Sequence, residues 1–174
     1  MKDPRILAID DGTLLNDKVI VVGVIGRSSV IEGIISFYIT KDGVDSTDNL
    51  ISSIKRSRFN GEINFLVSNG IALGGLNILR PSLIENKIGV KFYAMTRSKP
   101  RYDALLSAME RKGLQTTYLE RLNLKEVELK NKKVYIQYLD QFINIDFELA
   151  FSYVRLAHMI ATAVSRGEST RGSI

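Results

Sequence analysis

Two adjacent carboxylates, Asp10 and Asp11, are the residues of this 174-residue chain whose types and spacing most directly suggest chemistry. They follow the apolar run Arg5–Ile9 and precede Gly12. Crowded carboxylates raise each other's pKa, so a cation is a natural partner, and Mg²⁺ commonly takes one or two carboxylates with several waters. Asp-Asp-Gly is also an ordinary turn sequence. The metal-site interpretation requires the strand to end at Asp10, because neighbouring strand residues point to opposite faces.

A second acidic group, Asp42, Asp45 and Asp48, lies between a predicted strand and a predicted helix. Acidic side chains near a helix start are stabilised by the helix dipole, which is sufficient to explain them. The functional interpretation makes Asp45, or less favourably Asp42, a further metal ligand. Both interpretations remain open from the residues alone.

Asn69 lies where a second strand of the predicted sheet ends, and it can offer a carbonyl oxygen but no charge. The glycines that follow, Gly70, Gly74 and Gly75, allow the backbone to approach a ligand or another chain closely. This run lacks the lysine and hydroxyl residue of a P-loop and the spacing of a dinucleotide fingerprint. Both nucleotide-binding motifs are therefore excluded.

His158 is the only histidine, and the chain has no cysteine. These counts exclude a two-histidine metal motif, a cysteine-ligated zinc site, a papain-like site and a disulfide framework. A Ser-His-Asp triad would have to use His158, but no G-x-S-x-G motif accompanies it. A single histidine on a helix is usually a packing or surface residue, and a catalytic role is the alternative.

The positive charge of the chain is concentrated in one segment. Residues 97–133 contain 10 basic and 5 acidic side chains, and the excess of 5 positive charges equals the formal net charge of +5 for the whole chain. Arg97, Lys99 and Arg101 form a compact basic loop beside Tyr102, and such a loop can hold the phosphates of DNA or RNA. An exposed connector, or a solvated lysine-rich surface, is the alternative.

The elements that must position these residues follow from apolar runs and turn signals. Strands are predicted at Arg5–Ile9, Lys18–Ile25, Val30–Thr40, Glu62–Val67 and Gly89–Met95, with a later hairpin of Leu124–Leu129 and Val134–Leu139. Helices are predicted from Ser46 or Thr47 to Asn60-Gly61, and over Ile78–Asn86, Tyr102–Lys112 and Phe147–Ser165. The order predicts an α/β fold: a mixed sheet, three antiparallel strands and then β-α-β crossovers, with helices on both faces. Functional side chains collect at the carboxyl ends of parallel strands in such sheets, here at Asp10 and Asn69.

The length and composition predict one domain over residues 1–174. No apolar run approaches the roughly 18 to 20 residues of a membrane span. The first residues carry acids where a signal peptide carries its apolar stretch, so we expect a cytoplasmic protein.

Three groups of residues together resemble a known archaeal family, the "domain of unknown function 99". They are AIDDG at 8–12, VSNGI at 67–71 with GGLN at 74–77, and RLAHMIA at 155–161 with RGES at 166–169. That family is similar to endonuclease V, which has a ribonuclease-H-like fold and cuts a phosphodiester near deaminated bases with carboxylate-bound magnesium. The resemblance implies that fold, with its C-terminal helix, and action on nucleic acid.

The resemblance also implies roles for particular positions. Asp10 matches the first-strand aspartate of endonuclease V, its acidic residue after the third strand falls near Asp45, and its histidine near the last helix corresponds to His158. Asn69 stands where endonuclease V has a second essential aspartate, and this removes one negative charge from the expected metal shell.

Three hypotheses follow. The first is an endonuclease-V-like protein in which Asp10, Asp11 and Asp45 hold Mg²⁺ or Mn²⁺, Asp10, Asp45 and His158 are catalytic, and Asn69 with Arg97, Lys99 and Arg101 binds nucleic acid. The second is a non-catalytic binding module with a degraded metal site. The third is an interaction protein whose sheet edge or glycine-rich loop forms a homo-oligomer.

Overall fold

The first three strands form an antiparallel meander, and in this computed structural model residues 2–172 are described. Strands β1 (Ile6–Leu15), β2 (Lys18–Arg27) and β3 (Val30–Thr40) are rich in Val and Ile, which favour the pleated sheet. Tight two-residue turns join them, and Asn16 and Ser28 adopt the positive φ angles that such turns require.

The remaining strands complete a seven-stranded mixed sheet. They are β4 (Phe65–Asn69), the short β5 (Ala72–Leu73) and β6 (Asn77–Ile78), β7 (Lys91–Thr96), β8 (Asn123–Leu129) and β9 (Lys132–Tyr138). The order in the sheet is β3-β2-β1-β4-β7-β9-β8. Strands β1, β4 and β7 are parallel, and the other pairs are antiparallel. This arrangement confirms the predicted mixed sheet, in which three antiparallel strands are followed by β-α-β crossovers.

Helices cover both faces of the sheet. They are α1 (Ser46–Arg56), α2 (Pro81–Ile88), α3 (Tyr102–Arg111) and α4 (Phe147–Arg166). Alternating side chains of the central strands divide into two apolar cores, with Leu7 and Ile9 on the face of α1 to α3 and Ile6 and Ala8 on the face of α4. Because β1, β4 and β7 are parallel, the chain segments that follow these strands lie at the same end of the sheet, the carboxyl end.

Two local predictions were wrong. Strand β1 does not end at Asp10 but continues to Leu15, because its pairing with β2 resumes after a register shift between Asp11 and Leu14. Helix α1 takes Asp45 as its N-cap residue, where Ser46 or Thr47 was expected. The two-stranded β5–β6 ribbon was not predicted, because two-residue strands are too short to carry an alternating pattern.

No helix within residues 2–172 is both long enough and apolar enough to span a bilayer.

Candidate functional site

Asp10 is buried at the carboxyl end of the parallel strands, at the centre of a polar cluster that it forms with Asn69 and His158. Its side chain is only 2% exposed, yet both carboxylate oxygens have partners. Oδ2 accepts from Asn69 Nδ2 at 3.1 Å and from His158 Nδ1 at 3.0 Å, and Oδ1 accepts from the Asp11 amide at 2.8 Å. The structure therefore brings together β1, β4 and α4 residues that are far apart in sequence.

His158 reaches Asp10 because α4 packs across β1 and β2. A carboxylate can only accept, so Nδ1 donates to Asp10 while Nε2 lies 2.8 Å from the Thr170 hydroxyl oxygen. The hydrogen bond with Asp10 raises the pKa of His158, although partial burial opposes this effect. A protonated imidazolium is thus favoured beside the buried carboxylate.

Gly12 determines how closely α4 approaches β1. A Cβ atom at this position would lie 2.5 Å from the Ala161 carbonyl oxygen and 2.8 Å from Ser165 Oγ. The next residue, Thr13, donates its amide to Ser165 Oγ at 2.9 Å. The glycine after the two aspartates therefore serves helix packing, and through it the position of His158 on the same helix.

Asp11 has a different environment from Asp10. Its Oδ2 accepts from the Gly74 amide at 2.6 Å, and Gly74 presents this N–H from a backbone with φ of 53°. Burial, followed by the negative charge of Asp10, raises the pKa of Asp11 to about 6, although the hydrogen bond from the Gly74 amide opposes this effect. The expected strand end is absent, but the two carboxyl groups are in contact.

Asp45, unlike Asp10 and Asp11, is held by hydrogen bonds that give it a structural role. Oδ1 accepts from the Thr40 amide at 3.0 Å and from Asn77 Nδ2 at 2.7 Å, and Oδ2 accepts from the Thr40 hydroxyl at 2.9 Å. Burial alone would raise the pKa of Asp45, but these hydrogen bonds outweigh it and hold the pKa below its ordinary value. The carboxylate ties the end of β3 and the β6 strand to the start of α1.

The expected three-carboxylate metal site of Asp10, Asp11 and Asp45 is not formed. Across residues 2–172, no group of three or more His, Asp or Glu side chains has the arrangement of a metal site. Asp45 is instead held at the start of α1 by hydrogen bonds from Thr40 and Asn77. Asp42 is likewise engaged, with Lys112 at 2.9 Å and the Leu76 amide at 2.8 Å.

The basic loop divides between the two faces of the sheet. Arg97, Lys99 and Arg101 are all exposed. Arg101 lines a pocket of about 360 Å³ on the face of α3, together with Tyr102 and Arg121. Arg97 lines a smaller pocket of about 130 Å³ on the face of α4. Lys99 lines neither of these two pockets.

Several contacting residues were not identified from the sequence. Thr170 and Arg121 carry no motif, and each reaches the site or its pocket through a contact that is distant in sequence. The guanidinium carbon of Arg121 lies 3.9 Å from the ring centroid of Tyr102. An aromatic residue beside a basic segment was the only sequence signal for this pair.

The sequence pattern of the family described as Endonuclease dU matches residues 2–145. The chain belongs to the endonuclease dU family. A relative called "UPF0215 protein", from Pyrococcus furiosus, is 32% identical over 194 aligned positions, which cover 98% of this chain and 96% of the relative. The archaeal origin of this relative is consistent with the resemblance found in the sequence.

The fold recurs among solved structures. A protein of unknown function from Archaeoglobus fulgidus has a TM-score of 0.73 at 25% identity, covering 92% of this chain and 98% of that chain. Endonuclease V from Ciona intestinalis, in complex with a 24mer DNA containing an inosine, has a TM-score of 0.48 at 11% identity. That second match covers 79% of this chain and 72% of the Ciona chain.

Proposed function

We propose that this member of the endonuclease dU family is an endonuclease that hydrolyses a phosphodiester in nucleic acid containing deoxyuridine, the nucleoside abbreviated in the family description. The observation that carries the proposal is the buried Asp10, held by His158 and Asn69 and in contact with Asp11. A buried carboxylate held by a histidine and next to a second carboxylate is a combination suited to acid–base and metal-assisted hydrolysis.

The two carboxylates fit a divalent cation. Burial, and after it the negative charge of Asp10, raises the pKa of Asp11, so a second negative charge there is costly without a compensating cation. Asp10 and Asp11 would hold Mg²⁺ or Mn²⁺, and the Asn69 amide would contribute an uncharged oxygen if its side chain rotated. Bound there, the cation would polarise the phosphodiester and lower the pKa of a water molecule.

His158 supports the same reaction. The hydrogen bond with Asp10 raises the pKa of His158 and so favours its protonated form, and Asp10 orients the ring through Nδ1. The other ring nitrogen, Nε2, faces Thr170 and is the atom that could exchange a proton with substrate once that hydroxyl moves aside. We propose that His158 protonates the leaving oxygen.

The pocket beside Arg101 is suited to a base. Its volume of about 360 Å³ lies within the usual range for small-molecule sites, which begins at about 300 Å³. Gly70 and Thr96, which follow Asn69 and Met95 at the ends of β4 and β7, line it together with Tyr102. A base unstacked from its strand would reach this pocket while its phosphodiester remained near Asp10.

The test is a cleavage assay with matched oligonucleotides that contain a single deoxyuridine, deoxyinosine or deoxycytidine at the same position. With Mg²⁺ or Mn²⁺ we expect one cut near deoxyuridine, little cutting of the deoxycytidine control, and none in chelator. The Asp10→Asn variant, purified in parallel, controls for a contaminating nuclease. Cutting by the variant at the wild-type rate, or no cutting by the wild type of any oligonucleotide, would exclude the proposal.

A non-catalytic nucleic-acid-binding module is the second candidate. One observation favours it: Asn69 provides an amide where endonuclease V is expected to have a carboxylate, and this amide donates to Asp10. That module would bind the same oligonucleotides equally well in chelator and with metal, and would cut none of them. Asn69→Asp separates the candidates, since an added carboxylate that produces or increases cutting identifies a weakened metal site.

A further inference from the structure

A small pocket on the α4 face of the sheet combines positive charge from three separate elements. Arg97 follows β7, Lys130 and Lys132 lie at the tip of the β8–β9 hairpin, and Arg155 is on α4. One carboxylate, Glu148, lines the pocket beside these four cations. Its volume, about 130 Å³, is below the roughly 300 Å³ at which small-molecule sites begin but leaves room for a phosphate group.

These four cations lack the partners that other cations of the chain have. Lys112 and Lys133 form ion pairs with carboxylates, and Arg121 and Lys125 lie over aromatic rings. Within residues 2–172, no ion pair or cation–π contact involves any of the four pocket cations. Four cations around a concave surface that holds a single carboxylate are typical of a site for an anion.

The hairpin turn supports the same conclusion. Lys130 and Asn131 form the two-residue turn, with φ angles of 50° and 61°. This conformation favours Asn, Asp or Gly at both positions, so Asn131 suits it and Lys130 does not. A lysine at the less favourable position of a tight turn indicates that its charge has a use other than stability.

The pocket lies beside the candidate functional site. Arg155 precedes His158 by three residues on α4, so the two side chains project from neighbouring turns of one helix face. Met95 pairs with Asn69 in the sheet, and Arg97 comes two residues after Met95. Strands β1 and β7 are separated only by β4, which corresponds to roughly 10 Å between them.

We propose that this pocket binds a backbone phosphate of the nucleic-acid strand whose phosphodiester is held at Asp10, within a few nucleotides of it. The inference rests on the proposed function in taking nucleic acid as the ligand. Leu129 and Phe151 line the pocket with apolar surface that suits a sugar, while the four cations attract the phosphate. The strand would cross the sheet edge with its base on the α3 face and its adjacent backbone on the α4 face.

The test is the salt dependence of binding to a labelled single-stranded DNA that contains one deoxyuridine, measured by fluorescence anisotropy in chelator. The pocket variant is Lys130→Asn with Lys132→Gln, because asparagine is favoured in this turn and should preserve the hairpin. We expect binding to weaken about tenfold near physiological salt. The slope of log affinity against log salt should fall by about 0.7, since one single-strand phosphate contact contributes about 0.7.

The matched control is Lys55→Gln with Lys87→Gln, which removes the same charge from exposed lysines on the face of α1 and α2. It should change the slope much less than the pocket variant. Equal effects of the two variants would overturn the phosphate site while leaving the endonuclease proposal intact. Failure of the wild-type protein to bind the DNA at any salt concentration would overturn both.

Glu148→Gln provides a test in the opposite direction. Removing the carboxylate from the pocket should tighten binding about threefold, because it no longer opposes the phosphate. Unchanged or weakened binding by this variant, with an unchanged melting temperature, would contradict the proposed site.

Discussion

Two acidic clusters of this chain, Asp10 with Asp11 and Asp42 with Asp45, share residue types but differ in the groups that surround them. Asp45 accepts three hydrogen bonds from Thr40 and Asn77, and they hold its pKa below the ordinary value. Asp11 is buried beside Asp10, and its pKa rises to about 6. The protein has thus satisfied the charge of one carboxylate and left another partly uncompensated.

The difference identifies which cluster is suited to chemistry. The donors to Asp45 are uncharged groups of Thr40 and Asn77, whereas Asp10 has a histidine and a second carboxyl group beside it. Two carboxylates in contact, with one histidine as their nearest cationic partner, favour an additional positive charge. The surroundings of each carboxylate therefore distinguish the structural role of Asp45 from the chemical role of Asp10 and Asp11. Their positions near strand ends in the sequence do not make this distinction.

Neutralising one carboxylate in each cluster should have the largest and most different effects. Asp10→Asn should reduce cleavage of the deoxyuridine oligonucleotide more than about 100-fold, because it removes both a metal donor and the partner that orients His158. Asp45→Asn should leave the rate nearly unchanged at temperatures where it is folded. Single-turnover rates measured with excess protein would show this contrast.

A large loss of cleavage in folded Asp45→Asn would contradict the structural assignment and return Asp45 to the reaction. Circular dichroism at the assay temperature is the necessary control for both variants. A rate for Asp10→Asn within a few-fold of wild type would remove Asp10 from the proposed site.

The pH dependence of stability should have opposite signs in the two clusters. Because the folded pKa of Asp11 is raised, its contribution is present below the ordinary pKa of 3.8 and is lost as pH rises through about 6. Asp11→Asn should therefore gain stability over wild type between pH 4 and pH 7. We expect roughly 2 to 3 kcal/mol in chelator, at about 1.4 kcal/mol for each pKa unit.

Asp45 behaves in the other direction. Its folded pKa is lowered, so its contribution is present above the ordinary pKa and is lost as pH falls through the folded value. Urea unfolding at a series of pH values measures both effects. A difference between Asp11→Asn and wild type that does not change between pH 4 and pH 7 would rule out the raised pKa.

Truncating Asp45 should have a smaller effect, confined to stability. Asp45→Ala leaves the buried Asn77 amide without one acceptor and the Thr40 amide without its partner, and we expect a loss of about 1 to 2 kcal/mol. Asp48→Ala is the matched control, because this exposed residue in the first turn of α1 makes only a surface ion pair with Arg80. Its loss should stay below about 1 kcal/mol. Equal losses from the two variants would refute the structural role of Asp45.

The long elements were predictable because their patterns are local. The Val- and Ile-rich runs identified β2 and β3, and the apolar stripe of Phe147–Ser165 identified α4 to within one residue of its observed end. The three early strands and the later β-α-β crossovers were sufficient to predict the mixed sheet. The continuation of β1 past Asp10 could not be predicted, because Asp-Asp-Gly resembles a turn. Only the pairing of β1 with β2 shows that the strand extends further.

The candidate site was only partly predictable. Asp10, Asp11 and Asn69 were expected at strand ends, and parallel strands place such ends at one edge. The contact between His158 and Asp10 depends on how α4 crosses β1, which involves residues 148 positions apart. The grouping with Asp45 was wrong because no local pattern shows that Asn77 lies beside it.

The types of reactive and charged side chains follow from the sequence alone. The chain has carboxylates but no thiols, one histidine, and a positive charge concentrated between Arg97 and Lys133. The sequence also determined the strands and helices, since their propensities and periodicities are properties of neighbouring residues. The tertiary structure alone decided which carboxylate is satisfied and which cations remain without partners. Burial and hydrogen bonding depend on what packs against each group, and most of those partners come from distant parts of the chain.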